Sequence, residues 1–315
     1  MLKQLLNECL IDLHIKTDGP VLIKSGLAQI SGPDMAWVRT FYNGKEQIYL
    51  PGSSLKGVMR SHAERIARTL NPKVIVACDP FGDKYSESRS CGACFDYQKD
   101  QKKREPESFE AYRDACLICK LFGSTYFAGR LAFADAYAVG EEPRPTQRDG
   151  VGIDRFTGGA AYGAKFELEV VTDAVFATTL HLRNFELWQL GLLGFLLQDL
   201  KDGLIRIGSG KSRGLGRVVG EVQKVTLHFL GESPKHDGQL KIAGVGARFD
   251  GKDYGMMKSD EVLVPYGGKV TTNLIRHTAV FPKDDFPWQI FAPLWVERAR
   301  SFEDRLAGVR QGGKR

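Results

Sequence analysis

The stretch Leu204-Ile-Arg-Ile-Gly-Ser-Gly-Lys-Ser-Arg-Gly-Leu-Gly-Arg217 sets Gly208, Gly210, Gly214 and Gly216 among Ser209, Lys211, Ser212, Arg213 and Arg217. Glycine lets a backbone turn into conformations other residues avoid and lets a second backbone come close. Exposed N–H groups beside cations and hydroxyls suit a phosphate chain. A nucleotide P-loop is excluded by spacing, because the first glycine of G-x-x-x-x-G-K-[ST] would fall at Ile205. A P-loop also follows a strand and opens a helix. Here a helical pattern precedes the loop: Phe185, Trp188, Leu192, Phe195, Leu196 and Leu200 form an apolar stripe, with Asn184 as the expected cap and Gly203 as the stop. Val218 to Phe229 then reads as a strand.

The same order occurs earlier in the chain. Cys9, Ile11, Leu13 and Ile15 alternate with Glu8, Asp12, His14 and Lys16, which predicts a strand rather than a signal peptide. Ser53 or Ser54 is expected to cap a helix whose core positions run from Leu55 to Leu70, stopped by Asn71-Pro72. Lys56 and Arg60 sit in its first two turns, where free N–H groups attract anions. Strand-like runs at 130–139 and 165–171 flank a Gly-, Pro- and Arg-rich segment, about 140–164, that reads as a long protruding hairpin. Strand–helix–strand twice over predicts an α+β, ferredoxin-like core across 1–229. Residues 230–315 read as a strand-poor extension, with Arg310–Arg315 disordered.

The net charge of +6 permits a nucleic-acid partner, 43% hydrophobic residues allow a real core, and no apolar run suggests a membrane. Six cysteines without an export signal point to a reducing, cytoplasmic setting, where clustered thiols bind metal. Residues 73–120 form an insertion holding two knuckles, Cys91-x-x-Cys94 and Cys116-x-x-Cys119, which predict a closed structural Zn²⁺ site. Cys78 can replace one ligand, and Cys9 belongs to the core. The charged run Lys99–Glu110 is expected to be a mobile surface loop.

Four segments in order, Tyr49–Arg60, Cys116–Ser124, Gly152–Gly158 and the loop 208–217, resemble the RAMP superfamily, and within it the backbone subunit of type III CRISPR effector complexes. The resemblance covers roughly 1–225. It implies an RRM-type core with a thumb hairpin, stacked along a guide RNA (crRNA) with other effector subunits and paired to a target RNA. Guide phosphates would lie on Ser53, Ser54, Lys56 and Arg60 and on Gly208, Ser209, Gly210, Lys211, Ser212 and Arg213. The thumb would contact RNA through Arg148 and Arg155. Endoribonuclease action would rest on Asp34, in Ser31–Arg39, holding Mg²⁺ or Mn²⁺ while a ribose 2′-hydroxyl attacks, with Arg39 or Lys24 steadying charge. Asp18 is the rival carboxylate, and His14 the candidate base of a metal-free, guide-processing alternative. A scaffold without catalysis would share every feature except Asp34.

Overall fold

The computed structural model describes residues 3–26, 32–83, 85, 89–236, 238–249 and 253–310. The N-terminal part contains β1 (Asn7–Thr17), β2 (Arg39–Tyr42), β3 (Lys45–Leu50) and α1 (Gly52–Leu70). Next come α2 (Cys91–Lys102), α3 (Ser108–Asp114) and α4 (Leu117–Phe122), followed by the short strands β4 (Gly123–Ser124), β5 (Phe127–Ala128), β6 (Leu131–Phe133) and β7 (Ala136–Ala138). A long hairpin, β8 (Thr146–Ile153) and β9 (Ala160–Val170), leads into β10 (Val175–Arg183), α5 (Leu187–Lys201) and β11 (Val218–Leu230). The rest comprises β12 (Lys235–His236), β13 (Gln239–Ala243), α6 (Val245–Arg248), β14 (Glu261–Pro265), β15 (Thr271–Asn273), β16 (Arg276–Pro282), α7 (Trp288–Arg300) and α8 (Ala307–Arg310).

In the main sheet β1 lies between β10 and β11, and β10 pairs in turn with β6 and β7, all antiparallel. This neighbour order is the ferredoxin-like one, as expected. Alternation dictates the faces: Cys9, Ile11, Leu13 and Ile15 are buried, as are Phe176, Leu180 and Leu182 across β10 and Val225, Leu227 and Phe229 across β11. Pairs such as Cys9↔Leu182 and Cys9↔Leu227 stack this apolar face.

The segment after 230 is richer in strands than its sequence suggested. β16 pairs with β11 and carries β15 at the sheet edge, while β12, β13 and β14 make a separate three-stranded sheet. These strands are short and broken by Gly, Lys and Asp, so their alternation is weak. α7 packs on α5, with Trp188 and Trp295 stacked at 5.8 Å between centroids. A Cβ on Gly191 would stand 2.2 Å from the Phe291 carbonyl oxygen, so the close crossing needs glycine there.

Three local expectations are corrected. α1 starts at Gly52 behind Pro51 without a serine cap; its first N–H donates to the Asp135 carboxylate at 2.7 Å. Glu186, not Asn184, caps α5, through a reciprocal capping box with Gln189. Asn184 instead takes a left-handed conformation and ties Leu6 N–H and the Gln4 carbonyl. Lys99–Glu110 is not a loop throughout: it spans the end of α2 and the start of α3, held by a Glu107/Glu110 capping box and an Arg104–Glu110 ion pair at 2.9 Å. Local pairing replaces the buried apolar surface this run lacks. Arg310 is buried, whereas 311–315, the rest of the expected disordered end, lie outside the described residues, as does Ser31 of the Asp34 motif. Among the described residues, no helix is long and apolar enough to cross a membrane.

Candidate nucleic-acid interface and metal centre

The glycine loop is stapled to the chain that leaves β1. Ser209 N–H donates to the Leu22 carbonyl and Gly216 N–H to the Pro20 carbonyl, each at 2.8 Å. Gly208 has φ +74° and a Cβ there would lie 2.1 Å from the Leu22 carbonyl oxygen, so both conformation and closeness require glycine. Gly210 and Gly214, also at positive φ, bracket a 3₁₀ turn of Lys211, Ser212 and Arg213, all three exposed. The loop thus presents its cations on a fixed frame.

Two neighbours define what surrounds those cations. Arg213 lies over the ring of Phe166 in β9, 5.2 Å from its centroid, which joins the loop to the root of the long hairpin. Partial burial and the nearby Arg65 of α1 lower the pKa of Lys211. Arg65 is held by His62 at 3.0 Å, and His62 by Asp199 at 2.6 Å. Cations gathered in this way attract an anion. Arg65 and Phe166 carried no sequence signal of their own, since one read as a solvated charge and the other as a strand residue.

The Asp34 loop leans on the same hairpin root. Asp34 is exposed and its Oδ2 accepts the Glu167 N–H at 2.9 Å, while Met35 N–H donates to the Glu167 carbonyl. Arg39 is committed to Glu169 by two bonds, at 2.5 and 3.0 Å, and so does not stand free beside Asp34. Asp18 is paired with Arg217 at 2.8 Å, which ties it to the end of the glycine loop. Lys24 is exposed and bridges Trp37 through its backbone. His14 is half-buried on the outer face of β1.

The hairpin expected at 140–164 is β8 paired with β9. Arg148 is exposed on β8, and Arg155 is exposed in the turn that Asp154 organises by accepting from Phe156 N–H, Thr157 N–H and the Thr157 hydroxyl. Phe156 and Tyr162 are fully exposed near this tip. Ser53 is exposed and Ser54 and Lys56 are half-buried at the start of α1. The Asp135 carboxylate already occupies that helix end. Burial, then Arg60, lowers the Lys56 pKa. Arg60 turns elsewhere: it bonds Glu64 at 3.0 Å, the Gly123 carbonyl at 3.2 Å and Cys119 Sγ at 3.5 Å.

Cys78, Cys91, Cys116 and Cys119 bring four buried sulfur atoms within 4.8 Å of one another. Cys94 is not in this group, and Cys78, the alternative ligand, takes the expected place. The reason is local. Cys116 caps α4 and its Sγ accepts the Cys119 N–H at 3.4 Å, as a knuckle requires. In α2 the capping position belongs to Ser90, which shifts Cys91 and Cys94 one residue into the helix. Cys91 Sγ accepts the Cys116 N–H at 3.2 Å, and Cys78 and Cys119 Sγ are 3.5 Å apart. A tetrahedral centre with metal–sulfur bonds of about 2.3 Å has sulfur–sulfur edges of about 3.8 Å, so the donor set fits such an ion. Hydrogen bonds from Cys116, Cys119 and Cys78, with the charge of Arg310, hold the Cys91 thiol well below its ordinary pKa. Burial pushes Cys94 up to about 12. Four buried cysteines this close can bind a metal such as zinc.

Fold and site define an α+β, ferredoxin-like module whose glycine loop, bonded to the chain after β1, exposes Lys211 and Arg213. Residues 14–219 match the family model of the RAMP superfamily, and the chain belongs to that superfamily. Membership implies a CRISPR-associated RNA-binding module, with RNA and CRISPR complexes as partners. No individual curated protein matches the chain significantly.

Proposed function

We propose that this protein is a guide-RNA-binding backbone subunit of a type III CRISPR ribonucleoprotein, and that it cuts paired target RNA. The observation that supports this reading is the meeting of three parts at one place: the glycine loop, the root of the β8–β9 hairpin and the Asp34 loop. Guide phosphates would lie along Gly208–Arg213, with Arg65 as a further cation. Arg60 leaves the earlier set, since the cysteine centre engages it, and Ser53, Ser54 and Lys56 keep a secondary place beside the Asp135-capped helix end. The hairpin would act as the thumb, with Arg148 and Arg155 toward the duplex and sequence read by base pairing. We assign zinc to Cys78, Cys91, Cys116 and Cys119 as a structural ion, because all four positions are filled by protein.

In cleavage Asp34 would be the catalytic residue. Its exposed carboxylate has one oxygen fixed by Glu167 N–H, which orients it without burying it. Asp34 would hold a divalent cation, Mg²⁺ or Mn²⁺, which would supply charge neutralisation at the scissile phosphate. Asp34→Ala should abolish cuts made by this subunit while leaving guide and target binding within about twofold, because other residues hold phosphate. Products should end in 2′,3′-cyclic phosphate, and a 2′-deoxy nucleotide at the scissile position should block the cut. Full cleavage by the Asp34→Ala assembly, with other active subunits disabled, would remove Asp34 from catalysis and favour either Asp18 as the catalytic residue or the scaffold reading. The bond from Glu167 to Asp34 gives that second reading its one specific support, since it is also what a purely structural turn residue would make.

A further inference from the structure

We propose that Arg310 and Arg60 are positioning residues of the four-cysteine centre, and that metal bound there fastens the end of the C-terminal extension to the insertion. This rests on the metal reading of the four cysteines and goes beyond it, because it gives the centre a partner in the C-terminal extension, well past the end of β11 at Leu230.

Arg310 is 1% exposed, yet it carries a full charge. Its fork is spent on three partners from two parts of the chain. Nη2 donates to Cys91 Sγ at 3.2 Å, Nη1 to the Arg89 carbonyl at 2.8 Å and Nε to Asp304 at 2.9 Å. Arg89 returns the contact by donating to the Val309 carbonyl. Leu306 and Phe302 are buried just before it. From α1, Arg60 Nη2 donates to Cys119 Sγ at 3.5 Å. Each guanidinium also grips a carboxylate, Asp304 or Glu64, which fixes its plane.

Four thiolates around a divalent ion leave an excess of two negative charges. In a buried site such an excess is stabilised by N–H donors, and cationic ones offset it most strongly. Arg310 and Arg60 supply them from two different segments. Conversely, Arg310 and Arg60 aim N–H groups at Cys91 and Cys119 Sγ, two of the atoms that would hold the ion, so the same contacts join the C-terminal segment and α1 to the ligand set. The ion and the C-terminal segment therefore stabilise each other: loading the centre draws Arg310 in, and Arg310 slows loss of the ion.

The test uses the full-length protein with its metal content measured first, then release to a chromogenic chelator and hydrogen exchange across 302–310. Removing metal from wild type should raise exchange at 304–310. Arg310→Gln should release metal about 10-fold faster or more, and exchange at 304–310 should become high with or without metal. Arg310→Lys should recover part of the retention, since it restores charge but not the fork. Arg60→Gln should also release metal faster but leave 304–310 protected, because α1 is held by the core; it remains informative if Arg310→Gln fails to fold. Wild-type release and unchanged metal-dependent protection in Arg310→Gln would overturn the clamp while leaving the metal site standing. Wild-type protein that takes up no metal after reconstitution would overturn both.

Discussion

Replacing Gly208 by alanine tests whether the glycine loop is a built frame or merely a flexible turn. At φ +74° an alanine pays about 1–2 kcal/mol of left-handed strain. Its Cβ would also stand 2.1 Å from the Leu22 carbonyl oxygen and 2.9 Å from Ile23 Cδ1. The first distance is more than about 1 Å short of ordinary contact. The obstacle is backbone, so it cannot rotate aside, and overpacking of this kind costs about 1–3 kcal/mol. Reduced freedom of the unfolded chain returns about 0.4–1 kcal/mol. The net expectation is a loss of about 1–4.5 kcal/mol, from the sum of these effects. Gly214 is the internal control, because its φ is +82° but a Cβ there meets nothing within 4 Å. Gly214→Ala should therefore cost only about 1 kcal/mol. Denaturant midpoints would measure both variants. Binding of guide RNA should fall about tenfold for Gly208→Ala, where the Ser209–Leu22 bond is forced open, and little for Gly214→Ala. Equal losses in the two variants, in stability and in RNA affinity, would refute the frame argument.

The cysteine centre makes a second pair of opposed predictions. Cys78→Ser should lower bound metal well below one ion per chain, whereas Cys94→Ser should keep it, as measured by elemental analysis of the purified proteins. The buried carboxyl of Asp260 predicts a pH dependence. Burial, and then Glu186, raises its pKa from 3.8 to about 7. The folded state thus holds this proton more tightly than the unfolded chain does. The group's contribution to stability is greatest below about pH 4 and is lost as pH rises toward 7. Asp260→Asn should remove that slope and gain up to about 4 kcal/mol at pH 8 relative to wild type. Urea denaturation at pH 5 and pH 8 would read the difference, and an unchanged slope would contradict it.

The two-fold strand–helix–strand order was legible because the core obeys simple periods. β1 alternates cleanly, so its faces follow from residue type, whereas α5 is apolar on nearly every side and buries Leu187, Leu190 and Leu193 beside most of the expected stripe. The helix starts were less legible, because the group that satisfies the α1 terminus is Asp135, far along the sequence, and Glu186 caps α5 reciprocally with Gln189. Spacing identified two cysteine knuckles, but one residue of helix register decided between Cys94 and Cys78. The position of Arg60 at a helix start is visible in sequence, whereas its tertiary partner Cys119 is not. Arg310, in a tail that looked disordered, could not be linked to Cys91 by any local pattern.

The central claim is that the glycine loop holds the phosphates of a guide RNA rather than its bases. Its most direct measurement is the salt dependence of guide binding for wild type and for Lys211→Ala/Arg213→Ala, using several guides of different sequence. Two lost phosphate contacts should weaken binding of every guide alike and reduce the slope of log K against log salt by about 1.4–1.8. An unchanged slope, or a loss confined to some guide sequences, would contradict the account.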